Sequence, residues 1–211
     1  MTGSRPSASP PGTGVGTVHR AALEALARHG PRRTGITHIA RLARCDRSYL
    51  YRHWGDAGTL LREAALREFH RLLLVAREVP GRLPPPRCLP VLLVLRAARL
   101  LREHPVVGAL ARQEPEAVHA AVLDTGTVWH GTAWEWLCAH VTADLPAGAR
   151  RDAVTLAVLT AALPYALTPP AAADAGRAAE ARAVVDRRLG LTLHACLGLP
   201  PDCLDCVPAG G

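Results

Sequence analysis

Apolar residues recur every three or four positions along most of the chain, which is the spacing of one face of an α-helix. Before residue 80 the pattern predicts four helices. The first runs from about Val18 to Gly30, Thr34 caps the second, Asp46 caps the third, and the fourth ends near Glu78. No run of alternating β-branched residues predicts a strand, so the expected fold class is all-α.

Proline and glycine divide the chain into three parts. Residues 1–16 are rich in Ser, Pro and Gly and predict a flexible arm. The proline-rich segment 80–86 predicts a linker, so we expect one domain over residues 17–79 and a larger helical domain over residues 80–211. The second domain is predicted to contain the helices Leu89–Arg102, Pro105–Leu123, Thr127–Val141, Ala149–Ala166 and Asp174–Leu197.

Positive charge is concentrated in the first third of the chain. All 25 basic residues are arginine, against 18 acidic ones, for a net charge of +7. Residues 1–78 hold 13 arginines and 6 acidic residues, whereas the remainder holds 12 of each. Such asymmetry indicates contact with nucleic acid or an acidic membrane, with a solvated arginine surface as the alternative.

Nothing in the pattern predicts secretion or membrane insertion. The longest uncharged stretch, residues 153–173, is rich in alanine and interrupted by Thr and Pro, which indicates a buried helix and not a membrane span. The first 16 residues lack the apolar core of a signal peptide. We therefore expect a cytoplasmic protein without membrane contact, whose six cysteines are thiols.

Residues 34–54 have the pattern of a helix, a short turn and a second helix, as in the helix-turn-helix, whose second helix enters the DNA major groove. On that second helix, Leu50 and Trp54 are expected to point inward. The remaining side chains can contact phosphates and base edges: Arg47, Ser48, Tyr49, Tyr51, Arg52 and His53. The helix ends at Thr34 and Asp46 are further candidate phosphate sites.

Residues 17–66 resemble the DNA-binding domain of the TetR family of bacterial transcriptional regulators. Ile39-Ala40 is similar to the "IA" of the family's bracing helix, the segment 50–54 (LYRHW) to its "LYxHF" signature, and Leu60-Leu61 to the leucines that open the fourth helix. Two positions depart from the pattern: Arg44 stands where the family usually has a turn glycine, and Ala57 where it often has a phosphate-binding lysine.

The resemblance implies a role for each outward residue of this region. Arg47, Ser48 and Tyr49 match positions that face base edges, with ordinary surface exposure as the alternative. Tyr51 and His53 match positions that reach phosphates or support the helix, with core packing as the alternative for the Tyr51 ring. Thr37 matches a position that can touch the groove.

The resemblance also implies partners. A homodimer would bind a near-palindromic double-stranded DNA operator, usually as a repressor, and would respond to a small-molecule effector without a cofactor. Ala149–Ala166 and Asp174–Leu197 are the expected dimer helices, because small side chains permit close packing.

A mostly apolar effector would occupy a cavity within residues 89–170. The aromatic candidates are Trp129, Trp134, Trp136 and Tyr165, and the polar ones are His104, Gln113, His119, His130 and Thr160. We expect His104, Gln113, Trp129, Trp134 and Tyr165 to bind the ligand, with core packing as the alternative for each aromatic. Trp134 and Trp136 are two residues apart on a helix and should face different sides.

Two other functions remain open. His194, Cys196, Cys203 and Cys206 lie within thirteen residues, so a regulator that responds to metal or redox state is one alternative. A helical binding protein that has lost DNA binding is the other, because of Arg44 and Ala57. The sequence contains no G-x-S-x-G, phosphate loop or H-E-x-x-H, so we expect no enzyme.

Overall fold

The computed structural model describes residues 14–78, 88–168 and 175–200, with the backbone alone for residues 175–178. Within these ranges all regular secondary structure is helical, which confirms the all-α class. The proposed linker 80–86, Cys203, Cys206 and most of the predicted arm lie outside the described residues. In the part of the chain that is described, no helix is long and apolar enough to cross a membrane.

Ten α-helices and one 3₁₀ helix, Pro31–Arg33, follow one another in the described ranges. The α-helices are α1 (Val15–His29), α2 (Ile36–Ala43), α3 (Arg47–Trp54), α4 (Ala57–Arg77), α5 (Leu89–Glu103), α6 (Pro105–Gln113), α7 (Pro115–Leu123), α8 (Val128–His140), α9 (Ala149–Leu167) and α10 (Ala175–Leu197).

Most helix boundaries agree with the sequence prediction to within a few residues, and two differ. The helix predicted over Pro105–Leu123 is two helices, α6 and α7, that meet at Glu114. Pro115 causes the break, since proline lacks a backbone N–H and disfavours a helical conformation in the residue before it. In addition, α1 begins at Val15, inside the segment predicted as a flexible arm.

The chain divides into two compact units, Met1–Glu68 and Phe69–Gly211. The division falls within α4, so this helix contributes to both units. From the sequence we placed the boundary at residue 80, in a segment that lies outside the described residues.

Unit 1 is a small helical domain in which α1 packs on α2 and α2 packs on α3. Its core contains Val18, Ile39, Leu50 and Leu60, each fully buried. These residues have the three- and four-residue spacing of the sequence pattern, because each helix directs only one apolar face inward. The outer face of every helix is therefore free to carry charge.

Unit 2 is a larger helical domain built around α9 and α10. In this unit α5 packs on α9, α10 packs on both of them, and α8 also contacts α9. The centre of its core is formed by Val91, Val158, Leu189 and Leu193, all fully buried.

A buried ion cluster joins α5 to α10. Asp186 of α10 accepts a hydrogen bond from Arg99 Nε at 2.7 Å and another from Arg102 Nη2 at 2.9 Å. The Arg102 side chain is buried, whereas that of Arg99 extends into solvent. A buried guanidinium needs such a carboxylate, since an unpaired buried charge is costly, so the cluster fixes the register of the two helices.

Apolar side chains also lie on the outside of α9 and α10. Leu156 of α9 and Val184 and Leu191 of α10 are each more than 40% exposed, and the exposed Arg187 and Arg188 lie between the last two. Val184 and Leu191 are two helical turns apart and therefore share one face.

Candidate nucleic-acid interface

Helix α3 has one buried side and one exposed side. Leu50 is fully buried and Trp54 is 9% exposed, as the sequence predicted. The first turn exposes Arg47 and Ser48.

The second turn of α3 exposes Tyr51, Arg52 and His53. Tyr51 is 55% exposed, so the alternative that its ring packs in the core is wrong. Tyr49 is half-buried, between the two sides of the helix. We define the outer face of α3 as Arg47, Ser48, Tyr49, Tyr51, Arg52 and His53.

Contacts within α3 orient two side chains of this face. His53 Nδ1 lies 2.8 Å from the carbonyl oxygen of Tyr49, and the two rings pack with centroids 4.1 Å apart. Because a carbonyl oxygen only accepts hydrogen bonds, Nδ1 carries the proton and Nε2 is left for an outside partner. Arg52 donates from Nε to the carbonyl oxygen of Ser48 at 3.3 Å, which leaves its terminal nitrogens available.

Thr34 and Thr37 lie in different environments. Thr37 is exposed on the first turn of α2, as a groove contact requires. The prediction that Thr34 caps α2 is wrong, because Gly35 occupies the N-cap position. Thr34 is buried, and its hydroxyl donates to the carbonyl oxygens of Gly30 at 2.7 Å and Ala25 at 3.2 Å. Its side chain therefore joins α1 to the start of α2 and is not available to a phosphate.

The turn between α2 and α3 contains a left-handed residue. Arg44 has φ 53° and ψ 45°, and it is the one non-glycine residue with positive φ in the described ranges. A residue with a side chain thus adopts a conformation that glycine favours. Asp46 is at the N-cap of α3, as predicted, but its side chain makes no capping hydrogen bond there.

An acidic residue caps the start of α4. Asp56 Oδ1 accepts a hydrogen bond from the backbone N–H of Thr59 at 2.8 Å, and Oδ2 accepts one from the Thr59 hydroxyl at 3.0 Å. These hydrogen bonds, the backbone one foremost, hold the pKa of the Asp56 carboxyl below its ordinary value. A carboxylate therefore occupies the N-terminal end of α4, next to Ala57.

The outside of unit 1 is strongly basic. All ten arginines between residues 14 and 68 are exposed, including Arg41 and Arg44 beside the turn and Arg47 and Arg52 on α3. In unit 2, by contrast, Arg102 is buried. The positive charge that the sequence assigned to the first third of the chain is thus available to an anionic partner.

Two residues of unit 1 that the sequence did not single out contact Trp54. Glu63 of α4 accepts a hydrogen bond from the Trp54 indole Nε1 at 2.8 Å. Its other oxygen lies 3.0 Å from Nε2 of His19, a side chain of α1 that is only 4% exposed. The His19 and Trp54 rings meet edge to face, with centroids 5.9 Å apart. The only indication of these contacts in the sequence was a histidine, His19, at a core position of α1.

The aromatic residues predicted to bind a ligand lie in unit 2. Trp129 and Trp134 are half-buried on α8, where Trp129 packs against Phe69 and Trp134 stacks on His130. Trp136 is buried, and its indole N–H donates to the carbonyl oxygen of Leu73 at 3.0 Å. Trp134 and Trp136 thus face different sides, as predicted.

The other ligand candidates are spread over four helices. Tyr165 of α9 is half-buried against the core, and His104 is half-buried at the start of α6. Gln113, at the end of α6, is exposed, as is Thr160 on α9. Two of the polar candidates bond to the backbone: His119 Nδ1 lies 2.8 Å from the Pro115 carbonyl oxygen, and His130 Nδ1 lies 2.8 Å from that of Val122.

Among the described residues, Cys45, Cys88, Cys138 and Cys196 form no disulfide bond. Burial, and to a lesser extent the negative charge of Asp46, raises the pKa of the Cys45 thiol, which favours the less reactive protonated form. Among the described residues, no group of three or more His, Cys, Asp or Glu side chains could hold a metal ion. The alternative built on His194 and Cys196 also needs Cys203 and Cys206, which lie outside those residues.

Comparison of the chain with protein-family models, with curated proteins and with solved structures found no match. The functional assignment therefore depends on the residues of unit 1 and their geometry.

Proposed function

We propose that the protein is a sequence-specific DNA-binding protein that presents α3 to the major groove. The observation that carries the proposal is the outer face of α3. Two arginines, a serine, a tyrosine and a histidine are exposed, with half-buried Tyr49 beside them, on an eight-residue helix whose Leu50 and Trp54 are buried on the opposite side. Such side chains supply the donors, acceptors and cationic groups that read base edges and hold phosphates.

Charge and topology support the same function. The exposed arginines of unit 1 favour a polyanion, since each one that meets a phosphate releases a condensed counterion. The left-handed turn at Arg44 separates a bracing helix from the presented helix, which is the layout of a helix-turn-helix.

In particular, we propose a ligand-responsive repressor of the TetR type that acts as a homodimer. The exposed apolar side chains on α9 and α10 favour a two-fold interface on these helices. Half-buried Trp129 and Trp134 favour a mostly apolar effector in unit 2. An effector that binds one of two conformers more tightly than the other would change the DNA affinity of the protein. The ratio of its affinities for the two conformers sets the size of that change.

Selection from a random pool of DNA duplexes tests DNA recognition. The purified full-length protein should enrich a near-palindrome whose half-sites are about one helical turn apart or somewhat more. Its affinity should fall steeply with salt, and the double variant Arg47→Ala, Arg52→Ala should lose the enrichment. The matched control Arg112→Ala, Arg150→Ala removes two exposed arginines from unit 2 and should retain it. If no sequence is enriched, the proposal fails, whether or not binding depends on salt.

The effector proposal has a separate test. A thermal-shift screen with apolar small molecules should raise the melting temperature of the protein, and a stabilising compound should lower its affinity for the selected duplex. A compound that stabilises the protein without changing DNA affinity would contradict the coupling.

A further inference from the structure

Helix α3 is short and attached by few side chains. It has eight residues, a length at which an isolated helix is unstable in water, so tertiary contacts must determine its orientation. Its buried side chains are Leu50 and Trp54, one turn apart on a single line along the helix. Two apolar anchors on one line limit translation of the helix but allow rotation about that line.

The Trp54 indole adds a directional contact at the end of α3. Its Nε1–H donates to Glu63 Oε2 at 2.8 Å, while Glu63 Oε1 lies 3.0 Å from Nε2 of buried His19. Neither ring nitrogen of His19 makes a hydrogen bond within the described residues, so His19 contacts the carboxylate by proximity alone. One carboxylate thus contacts residues of both α1 and α3, and we call His19, Glu63 and Trp54 the carboxylate bridge.

We propose that the carboxylate bridge sets the rotation of α3 and thereby the sequence specificity of the protein, with Glu63 as the central positioning residue. This inference rests on the proposed DNA-binding function. A rotation of α3 by 10° would move groups at the helix surface by about 1 Å, given a helix radius of about 5–6 Å with side chains. Hydrogen bonds to base edges depend on geometry at this scale, whereas attraction to phosphates does not.

Removal of Glu63 should change the affinity for the selected duplex in opposite directions, depending on whether the carboxylate positions α3 or acts only through its charge. This difference makes the inference testable. Removing an acidic residue from a basic domain should tighten DNA binding if only charge matters. Removing the bridge should weaken binding to the selected duplex. For Glu63→Ala we expect on the order of tenfold weaker binding to that duplex, the effect of about one lost base contact, and unchanged or tighter binding to an unrelated duplex.

Glu24→Ala is the matched control. Glu24 lies on α1 of the same unit and forms an exposed pair with Arg28 one turn away. Its removal changes the net charge by the same amount but leaves the carboxylate bridge intact. We expect this variant to bind both duplexes at least as tightly as the wild type.

Variants of the bridge separate positioning from simple destabilisation. Trp54→Phe keeps an aromatic ring but removes the indole N–H, and it should lose specificity as Glu63→Ala does. The double variant should be no worse than either single one, because both remove the same contact. Glu63→Gln keeps an acceptor for Trp54 and should largely restore specificity.

Nuclear magnetic resonance provides a readout without DNA. The Trp54 indole N–H resonance, assigned by its absence in Trp54→Phe, should shift and exchange faster with solvent in Glu63→Ala but not in Glu24→Ala. If Glu63→Ala does not fold, Glu63→Gln and Trp54→Phe still carry the test.

The possible outcomes are distinct. If the wild type enriches no sequence, the proposed function fails and this inference with it. If the wild type binds its selected duplex and Glu63→Ala and Trp54→Phe retain the same ratio of specific to non-specific affinity, the inference alone is overturned. A loss of that ratio in both variants, with the ratio preserved in Glu24→Ala, supports it.

Discussion

The backbone N–H of Cys45 donates to the carbonyl oxygen of Ala40 at 3.0 Å and so closes the C-terminal end of α2. The same pattern of bonds ends α10, where the N–H of Leu199 donates to the carbonyl oxygen of His194 at 2.9 Å. At α10 the left-handed residue is Gly198, whereas at α2 it is Arg44. The fold thus places an arginine in a conformation that costs about 1–2 kcal/mol for residues with a Cβ atom.

Replacing Arg44 by glycine should therefore stabilise the protein. We expect Arg44→Gly to raise the free energy of unfolding by about 0.5–1 kcal/mol, because relief of the left-handed strain exceeds the greater entropy of glycine in the unfolded chain. Arg41→Gly, the same substitution within α2, should lower it by roughly 0.5–1 kcal/mol. Urea unfolding of the two variants measures both values. If both substitutions changed the free energy of unfolding equally, the strain at Arg44 would be contradicted.

The cap of α4 should make stability depend on pH. The pKa of Asp56 is lowered in the folded protein from its ordinary value of 3.8, so its contribution is present above that value and is lost as pH falls through the folded-state pKa. The difference in unfolding free energy between the wild type and Asp56→Asn should therefore favour the wild type at pH 7 and shrink toward pH 2. Urea unfolding across this range measures the difference.

Thr59→Val tests the cause of this pH dependence. It removes the hydroxyl that donates to Asp56 Oδ2 but keeps the backbone N–H that donates to Oδ1. The pH dependence should become smaller without vanishing. If the free energy of unfolding changed with pH in the same way for the wild type and Asp56→Asn, the Asp56 carboxylate would contribute nothing to the cap.

Arg47 and Arg52 should contribute to DNA binding in different ways. If Arg47, in the first turn of α3, reads a guanine edge, Arg47→Ala should cost about 1–3 kcal/mol of binding and relax specificity at one base position per half-site. If Arg52 meets a phosphate, Arg52→Ala should weaken binding to all sequences alike and reduce the salt slope by about 1 per contact. Titrations with matched and mismatched duplexes at several salt concentrations separate the two effects.

The exposed faces of α9 and α10 should mediate dimerisation. Leu156→Arg and Leu191→Arg should each convert a dimer to a monomer in light scattering at micromolar concentration, because arginine would bury an unpaired charge in the interface. Val128→Arg changes an even more exposed apolar residue, on α8, and should leave the dimer intact. Leu159 is a poor site for this test, since it is buried in the core of unit 2. A wild type that is monomeric would contradict the interface.

The sequence predicted the helices well where periodicity and end signals agree. The bounds of α3 follow from its inward residues, such as Leu50, and from the N-cap at Asp46, and α5 ends one residue after the predicted Arg102. The break between α6 and α7 was missed because the apolar pattern continues across Pro115, although proline itself carried the signal. Thr34 was assigned to a cap because its type favours one, whereas Gly35 occupies the position and Thr34 points inward.

The candidate site was predicted only in part, for a physical reason. The exposed residues of α3 follow from helical phase alone, once Leu50 and Trp54 are placed inside. The contact of His19 with Glu63 joins residues 44 positions apart, and no local pattern encodes such a pair. Asp56 and Thr59 have the spacing of a helix cap, and their signal was available but was not used.

The position of Trp54 gives unit 1 an optical probe of its own. The other tryptophans, Trp129, Trp134 and Trp136, all lie in unit 2. A chain in which those three are phenylalanine would emit fluorescence from the end of α3 alone, beside the His53 and His19 rings. Its emission would then report the environment of α3 directly, at concentrations far below those needed for resonance methods.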